Sequence, residues 1–565
     1  MMIERRGLFQ PKAISQNNFL EIDLSQYPIG VNEVDDFFFK ISPHRKTEWV
    51  VSRICDHANG KLSRKGCESF AKCPLHGWTL DLDKLEYVNV QVKKEKINFE
   101  QKENILIIEK KQHYLQIPEH IKTSSINKIS IRFLAHASLA ITIDGFTIVT
   151  DPWLMGPCFM TGWWHKVIPK ADAMNIMMGA DLIYISHNHP DHIHMESLSH
   201  LRKRRPDIPI VIPNFSSKSV EKPLINCGFT NVIPLEFNNL YSVHENKILL
   251  SILKSGDFRD DSGIFFMAGE FSGLLTVDAA SLNRMILPKE IDFLASAFAG
   301  GASGYPWCFE NYSVAQRQEI NKKSKNSVLK LAVDYIKTTQ TKHYMPYAGY
   351  FSEEANRDHF IKLNNLKNSV DDIKNQLVRL VPNVHFIDPR MTDLIEFGAN
   401  GRMIHQEQIE LPALYQLDQS YIDSYLEKEN VESRNFDIQH IAQYFLACQF
   451  RDDLIVYLIP TDNSFEPTEQ GLKIDFSGVK VAVDIMDVVA LWMDYELSSP
   501  LRKKIIKVRK DPLWIVVNNA LSWEELSIGF QCRIIRKPDV YNSKFWDYFT
   551  NIYTNFDVTD SVTHQ

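Results

Sequence analysis

Four side chains that commonly bind metal ions lie within six residues, directly after a run of apolar residues. The run, ADLIYIS at 180–186, predicts a buried strand. The metal-binding side chains follow in the pattern H-x-H-x-D-H and are His187, His189, Asp191 and His192. A turn can direct the first two toward one metal ion and the last two toward a second, and imidazole with carboxylate suits zinc or iron. We therefore expect a metal centre at the end of this strand.

The pattern resembles the metal-binding signature of the metallo-β-lactamase fold, an αββα sandwich. The fold places a bridging carboxylate after a late strand, and Asp278 follows the predicted strand in LLTVDAA. His136, at the end of an early predicted strand, is expected to line the site. The fold usually supplies another histidine between the motif and the bridging carboxylate, and we expect Asp257 to take that place. The expected catalytic residues are His136, His187, His189, Asp191, His192 and Asp278.

A second constellation lies near the N-terminus, in two short loops. One loop contains Cys55 and His57 as C-x-H, and the other contains Cys73 and His76 as C-x-x-H. This is the ligand pattern of a Rieske [2Fe–2S] centre, in which two thiolates hold one iron and two imidazoles hold the other. Structural zinc is the alternative, but zinc fingers usually pair Cys with Cys and His with His in sequence. The pattern favours one [2Fe–2S] cluster per chain.

The pattern of predicted strands and helices changes twice along the chain, which predicts an α/β and β multidomain protein. Residues 1–122 contain short β-runs separated by turn residues and are expected to form an all-β Rieske domain. Residues 123–400 contain two series of strands with helices and are expected to form the metallo-β-lactamase-type catalytic domain. Residues 401–565 are expected to be an α+β segment that packs on the catalytic domain. Within this segment the pattern predicts a helix over 520–535.

Composition excludes several classes of protein. Hydrophobic residues make up 44% and charged residues 24% of the 565 residues, which argues against global disorder. The net charge of −7 gives no reason to expect a nucleic-acid partner. No stretch approaches the ~20 apolar residues of a transmembrane helix, and the N-terminus lacks the apolar core of a secretory signal. We expect a cytoplasmic protein.

The joining of these two constellations resembles the cytidine monophosphate-N-acetylneuraminic acid hydroxylase family. Further segments resemble this family in the family's order: DPWLMGPCFMTGWW (151–164), ADLIYISHNHPDH (180–192), RRPDIPI (204–210), FAGGASGYP (298–306), YMPYAGYF (344–351) and LSWEELSIGFQCRIIRKPDVYNSKFW (521–546). The resemblance implies insertion of one oxygen atom from O₂ into the N-acetyl methyl of a sugar nucleotide. It also implies an electron donor such as cytochrome b5 with its NADH-dependent reductase, or a ferredoxin-type equivalent. Because an unactivated methyl needs a redox metal, we expect iron rather than zinc at the second site.

Two other functions remain open at this point. The same machinery could act on another N-acyl sugar or amine, or the chain could be a metal-dependent hydrolase that carries a Rieske module. For substrate contacts the candidates are the Gly300–Gly304 loop, Arg284, Tyr347 and Tyr350. Each has an ordinary structural alternative: a tight turn, a surface arginine or aromatic core packing.

Overall fold

The computed structural model describes residues 3–13, 18–56, 61–64, 69–73, 78–88, 92–110, 113–257, 259–497 and 502–553. Described residues up to 122 form β-structure and one 3-10 turn, Leu24–Gln26, without an α-helix. The strands are Glu4–Leu8, Gln10–Ala13, Asn18–Asp23, Gly30–Val34, Phe37–Ile41, Thr47–Ser52, Ser63–Arg64, Phe70–Lys72, Thr79–Asp81, Glu86–Tyr87, Phe99–Lys102, Ile105–Lys110 and His113–Gln116.

The N-terminal region is joined to the central region by a shared sheet. Strand Glu4–Leu8 pairs antiparallel with Asn239–Val243, although its own sequence is mostly polar and exposed. The neighbouring strand Gln10–Ala13 pairs with His113–Gln116. The expected boundary at residue 122 therefore assigns strand Glu4–Leu8 to the β-module, although this strand belongs to a sheet of the central region.

The central region consists of two eight-stranded sheets with a continuous apolar core between them. The first sheet has the order Glu4–Leu8, Asn239–Val243, Ile248–Lys254, Ser262–Ala268, Phe271–Leu275, Phe293–Ala297, His343–Tyr347 and His385–Phe386. The second has the order Val232–Leu235, Ile210–Pro213, Leu182–Tyr184, Phe146–Thr150, Ser138–Ile143, Lys128–Ala135, Leu394–Gly398 and Met403–Glu407. A short pair, Trp164–His165 with Phe351–Ser352, lies beside them.

Helices cover the outer face of each sheet. Ala173–Met178, Met195–Arg204 and Glu221–Cys227 bury their apolar sides against the second sheet. Val314–Thr339 and Val370–Leu380 pack against the first, and each begins with a capping box in which a serine and the residue three positions later satisfy each other's backbone N–H groups. The layers are helix, sheet, sheet and helix, so the expected αββα sandwich is confirmed. Smaller elements complete the region: His359–Asn364, Leu282–Met285 and Asn356–Asp358.

The C-terminal region is built on a five-stranded sheet that shares an apolar core with the central region. Its strands are, in spatial order, Ala482–Asp487, Gln470–Asp475, Leu454–Thr461, Arg502–Arg509 and Cys532–Lys537. Its helices are Gln419–Glu432, Ile438–Ala447, Val488–Leu497, Lys510–Asn518, Glu524–Ile528 and Ser543–Asp547, followed by a π-helical turn, Tyr548–Ile552. Trp153 and Trp307 of the central region pack in the same cluster as Trp523 and Phe545.

The helix predicted over 520–535 is wrong in its second half. A helix covers only Glu524–Ile528, and Cys532–Lys537 is an edge strand. The helix ends at Gly529, where an added Cβ would lie 2.2 Å from the carbonyl oxygen of Phe159. The chain turns there because it lies against the loop that contains Phe159, and this contact cannot be read from local periodicity.

Among the described residues, no helix combines the length and the apolar character needed to cross a bilayer.

Candidate active site

Neighbouring parallel strands of the second sheet bring the motif loop and Asp151 to one edge. Phe146–Thr150 and Leu182–Tyr184 are parallel neighbours, and Asp151 directly follows the first of them while His187 comes soon after the second. The carboxyl ends of parallel strands are where ligand sites form in such sheets. The motif lies in a loop after the buried strand Leu182–Tyr184, as its sequence predicts.

Hydrogen bonds from Ser186 and Asp151 fix two of the motif imidazoles. The Ser186 hydroxyl donates to Oδ2 of Asp151 at 2.7 Å and therefore accepts from Nδ1–H of His187 at 3.0 Å. Nδ1–H of His192 donates to the same Asp151 oxygen at 3.0 Å. Nε2 is thereby the nitrogen of each imidazole that a metal ion would take.

The third imidazole of the motif is held by the C-terminal region. Nε2–H of His189 donates to Oε2 of Glu524 at 2.8 Å. The other nitrogen, Nδ1, lies 2.8 Å from Nε2 of His187. Burial opposes protonation of His189, but the bond to Glu524 and its charge outweigh burial and raise the pKa of His189. Its Nδ1–H then donates to Nε2 of the neutral His187, and loss of this proton would leave both nitrogens facing one place.

Carboxylates surround Nε2 of His192. Asp191 Oδ2 lies 3.3 Å from this nitrogen, and Asp278 Oδ2 lies 3.5 Å from it. His136 joins through its own Nε2, which is 3.1 Å from Asp191 Oδ2. The potential ligand atoms form two overlapping groups: His136, Asp191 and His192, and His187, His192 and Asp278. Five of the six expected catalytic residues are in these groups, and the sixth, His189, contacts His187.

Asp278 is held in place by strained backbone. The preceding residue, Val277, has a φ of 52°, a left-handed conformation that is unusual for a β-branched side chain. Its N–H donates to the hydroxyl of Tyr347 at 3.1 Å. Tyr347 and Tyr350 are therefore buried supports rather than the cleft-lining side chains that the sequence suggested.

Asp257, the expected additional ligand, is in neither group. Its buried carboxylate accepts from Nε–H of Arg259 at 2.8 Å. Asp261, four residues later, instead faces the motif, with Oδ1 3.5 Å from Nδ1 of His187. Neither oxygen of Asp261 has a hydrogen-bond partner among the described residues. Burial raises the pKa of Asp261 to about 7, with a further contribution from the charge of Asp278.

The protonation states of the motif follow from burial and from the neighbouring charges. Burial and the adjacent imidazoles of His192 and His189 hold the pKa of His187 well below its usual value. Burial opposes ionisation of Asp191, but His192 and His136 outweigh it and hold the pKa of that carboxyl well below its usual value. The motif thus contains a neutral imidazole and an ionised carboxylate, the forms in which these groups bind metal ions.

The residues present fit a metal ion. Buried ligand atoms normally have hydrogen-bond partners, yet several here have none among the described residues. They are His136 Nδ1, Asp191 Oδ1, His192 Nε2, Asp278 Oδ1 and both oxygens of Asp261. Imidazole nitrogens and carboxylate oxygens together form a donor set for iron or zinc.

The two cysteines of the second constellation lie in one apolar cluster. Cys55 and Cys73 are both fully buried, together with Trp78 and Tyr87. Cys73 N–H donates to the carbonyl of Trp78 at 2.7 Å, which closes the second loop. His57 and His76, the expected imidazole ligands, lie outside the described residues.

A cavity of about 1020 Å³ connects the three regions. Asp56, next to Cys55, lines it from the β-module; His189 and Asp278 line it from the central region; Glu524 and Tyr541 line it from the C-terminal region. The Gly300–Gly304 loop and Arg284 also line this cavity. Gly301 has a φ of 73°, and an added Cβ would lie 2.9 Å from Oδ1 of Asn365, so glycine is required there by the backbone itself.

Three groups of this site were not predicted from the sequence: Ser186, Asp261 and Glu524. Ser186 carried a weak signal, since it adjoins the motif. Glu524 lies in the segment 521–546, whose resemblance to a known family neither metal motif explains, and this was the one available signal.

Comparison with known proteins gives a family model that matches part of the chain and relatives that match most of it. A family model described as "Beta-lactamase superfamily domain" matches residues 130–248. The cytidine monophosphate-N-acetylneuraminic acid hydroxylase of Danio rerio is 30% identical over 526 residues, covering 88% of this chain and 86% of the relative. That of Mus musculus is 29% identical over 544 residues, covering 90% of each. A solved structure of CmlA, a diiron β-hydroxylase from Streptomyces venezuelae, is 14% identical, and the match covers 49% of this chain and 55% of that one with a TM-score of 0.31.

The family model falls on the strands and loop that carry the motif, which confirms the metallo-β-lactamase-type fold. The relatives extend far beyond that fold, into the β-module and the C-terminal region. The chain belongs to the cytidine monophosphate-N-acetylneuraminic acid hydroxylase family.

Proposed function

We propose that this chain is a monooxygenase that hydroxylates the N-acetyl methyl of CMP-N-acetylneuraminate to give the N-glycolyl form. The observation that carries the proposal is the shared cavity. It is lined by residues of the His/Asp site and by Asp56, which is adjacent to Cys55, so the proposed substrate, metal and electron-entry sites would adjoin one another. The names of the relatives supply the substrate.

The metal site is proposed to hold iron, with His187, His189, Asp191, His192 and Asp278 as ligands and His136 beside them. When bound, iron would supply the activation of O₂ that attack on an unactivated methyl requires. The protein residues hold the ligand nitrogens: Ser186 and Asp151 fix the tautomers of His187 and His192. His136, His187, Asp191 and His192 are buried, whereas His189 and Asp278 face the cavity in which the substrate would lie.

Cys55, His57, Cys73 and His76 are proposed to hold one [2Fe–2S] cluster, which would supply electrons one at a time. Hydroxylation by O₂ needs two electrons and two protons, because the second oxygen atom leaves as water. We propose cytochrome b5 with its NADH-dependent reductase, or a ferredoxin-type equivalent, as the donor. The burial of Cys55 and Cys73 in one cluster supports a shared cofactor.

The cavity is large, and acidic and basic side chains line it in equal number. Binding pockets for compact ligands measure roughly 300–1,000 Å³, and this one is at the upper end at about 1020 Å³. Arg259 and Arg284 both line it. The Arg284 side chain is 73% exposed, and its ion pair with Glu95 is long, at 3.6 Å. Its guanidinium can therefore turn to a phosphate or carboxylate of the substrate.

The test is a reconstituted reaction with CMP-N-acetylneuraminate, ¹⁸O₂, NADH, cytochrome b5 and its reductase. The expected product is heavier by one labelled oxygen atom, and it should not form when the reductase is omitted. Zinc in place of iron, together with no O₂ uptake by the reduced protein, would contradict the proposal and favour a metal-dependent hydrolase. Turnover of a different N-acyl sugar alone would contradict the substrate assignment.

A further inference from the structure

We infer that Glu524, from the C-terminal region, is the positioning residue for His189 and thereby completes the metal site. The inference rests on the metal site proposed above. It adds a group that lies outside the metallo-β-lactamase-type core, and it gives the C-terminal region a part in metal binding.

The contact itself determines which nitrogen of His189 is available. An ionised carboxylate can only accept, so the 2.8 Å contact between Glu524 Oε2 and His189 Nε2 requires the proton to be on Nε2. Nδ1 is then the nitrogen that a metal ion would take, in place of the proton that it shares with His187, and it lies 2.8 Å from Nε2 of His187. Glu524 therefore turns the ring so that its free nitrogen points to the same place as that of His187.

The same arrangement occurs at His192, while a carboxylate only lies near the corresponding nitrogen of His187. Nδ1–H of His192 donates to Oδ2 of Asp151 at 3.0 Å. Nδ1 of His187 contacts the Ser186 hydroxyl and also lies 3.5 Å from Oδ1 of Asp261. A carboxylate that accepts from the distal nitrogen of a metal-binding imidazole fixes its tautomer and raises its basicity. Asp151 accepts from the central region, and Glu524 supplies a second such carboxylate from the C-terminal region.

Local packing holds Glu524 where it is. Its N–H donates to the hydroxyl of Ser522 at 3.1 Å, and the side chain of the preceding Trp523 is buried and bonded to Tyr444. Five residues later, Gly529 lies against the backbone of Phe159, where no larger side chain fits. The Glu524 side chain is only 26% exposed. The segment is therefore fixed on both sides of Glu524, as a positioning residue requires.

A direct ligand role for Glu524 fits the geometry less well. A metal ion bound by Glu524 would use Nε2 of His189, on the opposite side of the ring from His187. His187, His192 and Asp278 form a group without Glu524.

The test is the affinity of the purified full chain for Fe²⁺ and for Co²⁺, measured by competition with a chelator. Glu524→Ala should lower the affinity by about 10- to 100-fold, the usual cost of removing such a partner, and should change the visible absorption of bound Co²⁺. Glu524→Gln keeps an acceptor oxygen and should recover part of the affinity. The matched control is Glu310→Gln, which removes the 2.6 Å ion pair with Lys507, another link between the two regions.

The outcomes separate this inference from the proposed function. Unchanged affinity and unchanged Co²⁺ absorption in Glu524→Ala would overturn the inference while leaving the metal site standing. An equal loss in the Glu310→Gln control would show that Glu524 only docks the region, and loss of one bound metal ion per chain would make it a ligand; either result overturns the positioning role. A wild-type chain that binds neither metal would overturn both the metal site and this inference.

Discussion

Asp151 and His192 come from the loops after adjacent parallel strands, and Asp151 Oδ2 lies 3.0 Å from Nδ1 of His192. The same carboxylate accepts from the N–H of Ser186 at 2.8 Å and from its hydroxyl at 2.7 Å. One buried side chain therefore sets both the loop backbone and the direction of an imidazole. Asp151 itself has a φ of 37°, a left-handed conformation, so these hydrogen bonds accompany a strained backbone.

We predict that Asp151→Asn weakens metal binding about 10- to 100-fold, because an amide cannot accept three hydrogen bonds at these positions. The measurement is metal affinity by chelator competition. Asp172→Asn is the control, since that carboxylate forms a partly exposed ion pair with Arg132 at 2.7 Å. An equal effect in both variants would contradict the prediction.

Asp261 and Asp257 should behave differently on substitution. Asp261→Asn is expected to lower metal affinity roughly tenfold, since its carboxylate faces His187. Asp257→Asn should leave metal affinity within about twofold of wild type and act on stability, because Asp257 is bonded to Arg259. Metal affinity and the melting temperature are measured for both. A larger loss of affinity in Asp257→Asn would restore Asp257 as the ligand.

The two cofactor sites should be separable by substitution. Cys55→Ser is expected to abolish both the visible absorption of the iron–sulfur cluster and turnover, because a serine hydroxyl is a poor replacement for a thiolate ligand. His189→Ala should abolish turnover and retain that absorption. Absorption spectra and product formation are recorded on the same preparations. Turnover that survives in His189→Ala would mean that the catalytic site lies elsewhere.

Lys504 is expected to make stability depend on pH. Its Nζ is buried 4.2 Å from the ring of Phe545 and has no hydrogen-bond partner among the described residues. Burial, together with the charges of Arg536 and Arg502, lowers the pKa of Lys504 to about 7. The pKa of lysine in an unfolded chain is about 10.4. Between about pH 7 and about pH 10.4 the unfolded chain therefore binds more protons than the folded one, and stability should rise with pH.

We therefore predict that Lys504→Met stabilises the protein by about 1–3 kcal/mol near pH 7 and reduces this rise. Melting temperatures between pH 7 and 10 provide the measurement. The adjacent Lys503 donates to the carbonyl of Tyr495 at 2.9 Å, so Lys503→Met should destabilise instead. A Lys504→Met variant with a lower melting temperature throughout would refute the prediction.

Arg284 is expected to contribute to substrate binding rather than to chemistry. Arg284→Ala should raise KM about 10-fold, the cost of one lost charge-assisted contact, and change kcat little. Steady-state kinetics with the proposed sugar nucleotide measures both. Lys323→Ala, in an exposed ion pair with Glu319 at 3.5 Å, is the control. A fall in kcat with unchanged KM would contradict a binding role.

The sequence was informative where function depends on neighbours along the chain. A strand followed by closely spaced potential ligands determines a loop at a sheet edge, and the structure brings motif side chains and Asp278 together there. The choice between Asp257 and Asp261 could not be made, because both are acidic residues of one loop and the position of Arg259 decides which one faces His187. Glu524 is 335 residues from His189, so nothing local indicates their contact.

For the fold, too, local features were predicted from the sequence and distant pairings were not. Two series of strands with helices predicted the sandwich because periodicity and order are local properties. The first strand, Glu4–Leu8, was not predicted, because its exposed polar residues resemble a tail and its pairing depends on a distant strand.

That strand has a consequence for biosynthesis. Glu4 pairs with Ser242, so the strand leaves the ribosome long before its partner has been made. Until then its unpaired edge is open to other chains, as is the edge of Asn239–Val243 in any truncated chain that lacks it. A catalytic region cut free at residue 122 would therefore carry an open sheet edge and tend to aggregate. The β-module can be replaced in engineering only if its first strand is kept.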